Sequence, residues 1–240
     1  LTDNGANNLA GIKALNVTGS GKLTMTMTGG VTAGATFSAE NATGVQAITF
    51  GGNFTSYTLG SKDDTLTTAS FLGNTAPKTV VGGDGTDTLV LTESVANLNS
   101  NTTGVSHSVS GVETLNVSAK VLEADNADKA LSLDATKFTG VDTLLATIDN
   151  EDTDSTDTAS VTFTGITTET VQFTAQEDNA QGVLGLDVTL KTTTGASDEI
   201  NVVSNARKSS GLNKLDTLTV TGNVEVLNFT ANTADVTSAG

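Results

Sequence analysis

Residues 80–91 read Val80-Val81-Gly82-Gly83-Asp84-Gly85-Thr86-Asp87-Thr88-Leu89-Val90-Leu91. Three glycines and two aspartates crowd the turn, and the chain then returns to β-formers. From Asp87 onward the pattern has period two. Asp87, Leu89 and Leu91 point to one face of a strand, and Thr88 and Val90 to the other. The acid stands at the strand entrance, where the chain turns.

The same unit recurs along the chain. It appears as Asp64-Thr65-Leu66, Glu113-Thr114-Leu115-Asn116-Val117, Asp142-Thr143-Leu144 and Glu169-Thr170-Val171-Gln172-Phe173. It returns as Asp198-Glu199-Ile200-Asn201-Val202, Asp216-Thr217-Leu218-Thr219-Val220 and Glu225-Val226-Leu227-Asn228-Phe229. Gly11–Val17 and Gly44–Phe50 share the apolar frame of Gly111–Val117 without its acid. With the acid as marker, positions 64, 87, 113, 142, 169, 198, 216 and 225 are separated by 23, 26, 29, 27, 29, 18 and 9 residues. Five consecutive gaps this even point to an all-β, elongated parallel β-solenoid of the β-helix or β-roll kind, in which equivalent strands stack in register. The alternative is a set of β-sandwich modules in which every third strand carries the unit. The solenoid places Leu66, Leu89, Leu115, Leu144, Val171, Ile200 and Leu218 in inward ladders, with Thr and Asn columns outside. The short final gap would suit a hairpin through Thr221-Gly222-Asn223.

Composition agrees with a β chain. There are 45 threonines in 240 residues, and a β-branched residue with a hydroxyl suits the outer face of a strand. The formal charge is −16 with only 11 Lys and Arg, which disfavours nucleic acid and anionic membranes and favours multivalent cations. Cysteine is absent, which excludes disulfides and thiol chemistry. No run approaches the 18 apolar residues of a membrane span. The N-terminus Leu1-Thr2-Asp3-Asn4 lacks the basic and apolar regions of a signal peptide and an initiator Met, as expected of an excised piece of a longer protein.

Gly82–Val90 match the nonapeptide G-G-x-G-x-D-x-U-x at every specified position. This is the repeat of repeats-in-toxin (RTX) proteins, which bind Ca²⁺. Glycines let carbonyls point into a turn, and Ca²⁺ takes six to eight oxygen ligands. Leu59–Leu66 keep one glycine, the aspartate and the aliphatic of the pattern. They lie 23 residues upstream, an excess over the 18 of a perfect roll that the loop Asn74–Lys78 can absorb. One shared Ca²⁺ site is therefore expected, with Gly60, Lys62, Asp63 and Asp64 facing Gly82, Gly83, Asp84, Gly85 and Asp87. A plain glycine-rich turn is the alternative.

Three acidic loops follow further units, and they include Asp125 and Asp128, then Asp152, Asp154 and Asp157, then Glu177 and Asp178. Stacked at a strand spacing of about 4.8 Å, their charges would repel unless a cation lay between them. As solvated surface loops they would need none. Asp198 and Asp216 read as weaker half-sites. The chain divides on this basis into N-terminal coils without acidic motifs (1–58), RTX-like Ca²⁺-binding coils (59–92) and continuing coils with acidic loops (93–240).

Gly111–Val117, the Asp-Thr-Leu units, Gly195-Ala196-Ser197-Asp198 and the complete nonapeptide together resemble the C-terminal, lattice-forming region of RTX-type bacterial surface-layer (S-layer) proteins. The likeness runs loosely over nearly the whole chain, and its specificity comes from co-occurrence. This chain carries one complete nonapeptide where those proteins often carry several. The resemblance implies export by type I secretion, Ca²⁺-dependent folding outside the cell, and assembly with other copies into a two-dimensional cell-surface lattice. Contact with lipopolysaccharide would then fall to a region outside this chain. Such a segment should present flat, polar faces and associate weakly alone.

Two other functions compete. A repeat module of a secreted RTX adhesin or exoprotein shares the same acidity and threonine content. A polysaccharide-active β-helix enzyme needs carboxylates clustered in a groove, whereas these acids occupy turns. The single His107 lies in a Ser- and Asn-rich stretch and reads as a surface residue, so no catalytic residue is assigned.

Overall fold

A computed structural model of the chain describes residues 2–3, 11–27, 31–51, 54–69, 71, 77–94, 107–121, 129–138, 140–150, 158–166, 170–177, 185–192, 199–206, 214–222 and 224–232. Among them the chain forms 19 strands and a single 3-10 turn at Ala135–Lys137. Consecutive strands enter different sheets, so each coil contributes one strand to each of two parallel stacks. Parallel neighbours need a crossover, and here the crossover is the strand of the opposite sheet.

The chain divides into two compact units: Leu1–Glu93 with Thr103–Asn116 and Lys137–Val141, and Ser94–Thr102 with Val117–Thr136 and Asp142–Gly240. Residues 1–58 and 59–92 thus share one unit. In the first unit one stack contains β1 (Thr2–Asp3), β3 (Leu23–Met27), β5 (Gln46–Phe50), β7 (Thr65–Ala69) and β9 (Thr88–Ser94). The other contains β2 (Ala14–Gly19), β4 (Ala35–Ala42), β6 (Phe54–Thr58), β8 (Thr79–Val81) and β10 (Ser108–Ser110). Strand β11 (Thr114–Val121) starts in the first unit, which holds its first three residues, and its remainder belongs to the second.

Period-two patterning builds the core of this unit. Met25, Ile48, Leu66 and Leu89 pair in sequence across β3, β5, β7 and β9, and all are buried. In the facing stack Leu15, Phe37, Tyr57, Val80 and Val109 pair likewise. Phe37, Phe50, Phe54 and Tyr57 meet between the stacks, with ring centroids 4.4 to 5.8 Å apart. Burial pushes the Tyr57 hydroxyl up to about 12, and that hydroxyl donates to the Phe54 carbonyl at 3.3 Å.

The second unit repeats the plan with longer coils. One stack holds β13 (Thr143–Asn150), β15 (Thr170–Glu177), β17 (Glu199–Ala206) and β19 (Val226–Asn232). The other holds β12 (Lys129–Asp134), β14 (Thr158–Ile166), β16 (Gly185–Thr192) and β18 (Lys214–Thr221). Leu144 pairs with Val171, and Leu133 with Phe163.

Three expectations change. Leu218 belongs to the β12–β18 stack, where it pairs with Val188 and not with an acid-marked strand. Val171 pairs with Val202, two residues past Ile200, whose own partner is Leu227. Strands β18 and β19 lie in different sheets, so Thr221–Asn223 is no hairpin turn. For Val171 the reason is register, since a two-residue shift keeps the same face inward and period two does not fix it. For Leu218 and Thr221–Asn223 it is sheet membership. Strands of both stacks alternate apolar and polar residues, so the pattern identifies the buried face without identifying the sheet. With Asp216 assigned to the second stack, the gaps of 18 and 9 residues merge into one coil from Asp198 to Glu225. Gly11–Val17 is misplaced for the same reason, since Leu15 lies in the second stack beside Phe37. Gly44–Phe50 does share the frame, with Ile48 beside Leu66.

Candidate functional site

The acids at the strand entrances of the first unit form a column. Gln46, Asp64, Asp87 and Glu113 occupy equivalent positions on successive coils, and each carboxylate reaches back to the coil before it. Asp64 Oδ1 accepts the Gln46 N–H at 2.7 Å, and Asp87 Oδ1 accepts the Asp64 N–H at 2.8 Å. Glu113 Oε2 accepts the Asp87 N–H at 2.7 Å. The main chain runs the other way, with Thr88 N–H donating to the Asp64 carbonyl at 2.9 Å and Thr114 N–H to the Asp87 carbonyl at 3.0 Å. The acid therefore caps an N–H that the turn would otherwise leave unpaired.

Burial makes this column costly. Asp64 and Asp87 are 1% and 0% exposed. Asp64 satisfies both oxygens, because Oδ2 also accepts the Gly60 N–H at 2.9 Å. Asp87 does not, since its Oδ2 is buried without a hydrogen-bond partner. Desolvation pushes the Asp87 carboxyl up to about 6; the Asp64 N–H pulls it down, while the charges of Asp64, Glu113 and Asp63 add to the rise. Burial likewise raises Asp64.

The turns above these acids stack as tightly as glycine allows. A Cβ on Gly82 would fall 1.5 Å from the Gly111 carbonyl oxygen and 2.6 Å from Asp87 Oδ2. One on Gly83, at φ +107°, would fall 1.9 Å from the Gly60 carbonyl oxygen. The glycines of the nonapeptide thus permit coil-to-coil approach as well as left-handed backbone. Thr86 N–H donates to Asp63 Oδ1 at 2.9 Å, and Asp84 N–H to the Gly60 carbonyl at 3.3 Å. A Cβ on Gly85 would lie 2.8 Å from the Lys62 carbonyl oxygen. So Gly60, Lys62, Asp63 and Asp64 do face Gly82, Gly83, Asp84, Gly85 and Asp87 across one inter-coil gap.

Neither a protein-family model, nor a curated protein, nor a solved structure matches this chain.

Chemically, the turn pair gathers hard oxygens. Toward the preceding coil they are the exposed carboxylates of Asp63 and Asp84 and the carbonyls of Gly60 and Lys62; beside Gly82, toward the following coil, they are Asp87 Oδ2 and the Gly111 carbonyl. Among the described residues no three His, Asp or Glu side chains converge on one point, so an ion here would take main-chain and side-chain oxygens together. That mixture suits Ca²⁺, which accepts carbonyls, carboxylates and waters in flexible geometry. Asp64 fits poorly as a ligand, because both its oxygens are engaged.

The remaining sequence candidates are scattered. Asp125, Asp128, Asp152, Asp154, Asp157 and Asp198 lie outside the described residues. Asp216 lies within β18, at a register shift between that strand and β16. Asp142 carries the same marker as Asp64 but is exposed, although its carbonyl accepts the Thr170 N–H at 3.1 Å.

One cluster is missed by sequence reasoning. His107 is 5% exposed and Lys78 is 1% exposed, so His107 is not a surface residue. Its ring lies 4.9 Å from Phe71, its Nδ1 accepts the Lys78 N–H at 3.2 Å, and Lys78 Nζ lies 5.4 Å from the Phe71 ring centre. Only the coil-like separation of positions 78 and 107 hints at the contact.

Proposed function

We propose that this chain is a structural segment of an RTX-type surface-layer protein, secreted by a type I route and locked into shape by Ca²⁺ at the cell surface. The observation that carries the reading is Asp87 Oδ2, a buried carboxylate oxygen with no partner at the turn of the one complete nonapeptide. A buried, half-satisfied carboxylate is costly and is relieved by a proton or a cation. Near neutral pH, with millimolar Ca²⁺ outside a cell, the cation is the better occupant.

Asp87 would hold the ion from the strand side, and Asp63 and Asp84 from the solvent side. The carbonyls of Gly60, Lys62 and Gly111 are at hand to complete the shell. The ion would neutralise charges that repel within the stack and tie adjacent coils together. Because it binds the folded turn and not the open chain, it stabilises by mass action. An affinity in the class of extracellular modules would leave the chain loose in the low Ca²⁺ of the cytosol and rigid after export. The outer column Thr24, Ala47, Thr65 and Thr88 carries no charge, which would suit packing between copies.

Electron microscopy of the full-length protein before and after Ca²⁺ addition tests the lattice role. Ordered sheets that appear with Ca²⁺ and dissolve in chelator are expected. Soluble monomers under both conditions would exclude it.

A further inference from the structure

The outer face of the β4, β6, β8 and β10 stack carries an ordered array of hydroxyls. Phe37, Tyr57, Val80 and Val109 point inward and are buried, so the residues on either side of each point outward. On one side the register aligns Thr36, Ser56, Thr79 and Ser108. On the other it aligns Ser38, Thr58, Val81 and Ser110. Seven of these eight positions are Ser or Thr, and all eight are exposed or partly exposed. None of the seven hydroxyls is hydrogen-bonded to a described residue. Neither column holds a charge, in a chain with 27 acids and 11 bases. Glu40, two residues past Ser38 on β4, lies beyond them.

Backbone pairing fixes the spacing of this grid. Parallel strands lie about 4.8 Å apart and rise about 3.3 Å per residue, so the positions repeat every ~4.8 Å across the strands and ~6.6 Å along them. Water in ice repeats on nearly the same scale. With each oxygen bonded tetrahedrally at about 2.75 Å, second neighbours lie about 4.5 Å apart and the perpendicular repeat is about 7.3 Å. The mismatch is about 0.3 Å per strand, about 0.9 Å over the three steps from β4 to β10, and about 0.7 Å between columns. A hydroxyl oxygen moves about 2 Å between χ1 wells, so the mismatch is within the reach of the side chains. A partner recognised by charge finds nothing in these columns. Crystalline water needs none, because open hydroxyls can replace its surface molecules while threonine methyls and Val81, itself 37% exposed, fill the spaces between.

We infer that this face binds the surface of ice crystals, setting its two hydroxyl columns into the outermost layer of ordered water. The inference uses only strand register and side-chain chemistry, and it stands independently of calcium and of the surface-layer role. Each contact is weak, and adhesion comes from holding seven hydroxyls in register at once.

Ice recrystallisation in frozen sucrose solution, with the 240-residue chain compared with albumin at equal mass, tests this. The wild type should slow the growth of ice grains to less than half the albumin rate. Thr58→Tyr with Thr79→Tyr sets two bulky rings in the middle of the array. That double variant should need at least tenfold more protein for the same effect, with its circular dichroism spectrum unchanged. Ser38→Lys, a single change on the same face, should act in the same direction. Thr65→Tyr, on the outer face of the other stack, should leave the effect as in wild type. A wild type no better than albumin, or a Thr58→Tyr/Thr79→Tyr protein as effective as wild type, would overturn the proposal. So would an equal loss in Thr65→Tyr, which would move the contact to the other stack. Self-association in sedimentation that the same double substitution abolishes, in a wild type without effect on ice, would put a second copy on this face instead.

Discussion

Asp87 serves two demands that pull its carboxyl in opposite directions. The Asp64 N–H favours the charged form, while burial and the neighbouring acids favour the neutral one, and the balance lies at about 6. An ordinary aspartate titrates near 3.9. With no cation bound, the folded state therefore holds a proton more tightly than the unfolded chain between about pH 4 and 6. Stability from this group is present in full below about pH 4 and is lost as pH rises through about 6, by about 2–3 kcal/mol in all. Urea melts in chelator at pH 4.5 and 7.5 should show this fall, and Asp87→Asn should lack most of it. Asn keeps an acceptor for the Asp64 N–H and places a donor near the Gly111 carbonyl. In chelator at pH 7.5 the variant should therefore be at least as stable as wild type, and it should gain little from Ca²⁺. A variant that is less stable than wild type in chelator yet gains as much from Ca²⁺ would show that Asp87 is not the ligand.

Strands and turns carry the next set of consequences. Gly83→Ala should cost more than about 2 kcal/mol, because left-handed strain adds to a clash with the Gly60 carbonyl. Gly34→Ala, at φ +84° with open space around it, should cost only the backbone strain of about 1–2 kcal/mol. Equal losses in thermal melts would mean that the turn stack is not tight. Leu66→Ala empties a fully buried ladder position and should cost about 2–5 kcal/mol. Much of this level was legible in the sequence. The shared Asp-Thr-Leu unit places Leu66 and Leu89 side by side, and the acid marks each strand entrance. What period-two patterning does not carry is sheet membership: Leu218 lies in the stack opposite the other acid-marked residues of its ladder, and Gly11–Val17 in the stack opposite Gly44–Phe50. The same marker also hides two environments, buried at Asp64 and exposed at Asp142. The burial of Lys78 and His107 is not written in the period-two pattern, since coil lengths vary from 18 residues (Ile48 to Leu66) to 31 (Val171 to Val202).

Over the whole molecule, a formal charge of −16 makes the folded state self-repelling, and any salt relieves part of that. A calcium site must be separated from this general effect. A site saturated at 100 times its dissociation constant adds about 2.7 kcal/mol, and a chain of this size gains about 2–4 °C per kcal/mol. Mg²⁺ prefers a smaller octahedral shell and surrenders water reluctantly, so it should substitute poorly. The decisive measurement is the melting temperature of the wild-type chain at pH 7.5 in chelator, in millimolar Ca²⁺, in millimolar Mg²⁺ and in NaCl of matched ionic strength. A rise of about 5–10 °C with Ca²⁺ alone is predicted for one site. Identical melting in Ca²⁺ and chelator would contradict the calcium lock and leave Gly82–Asp87 an ordinary tight turn.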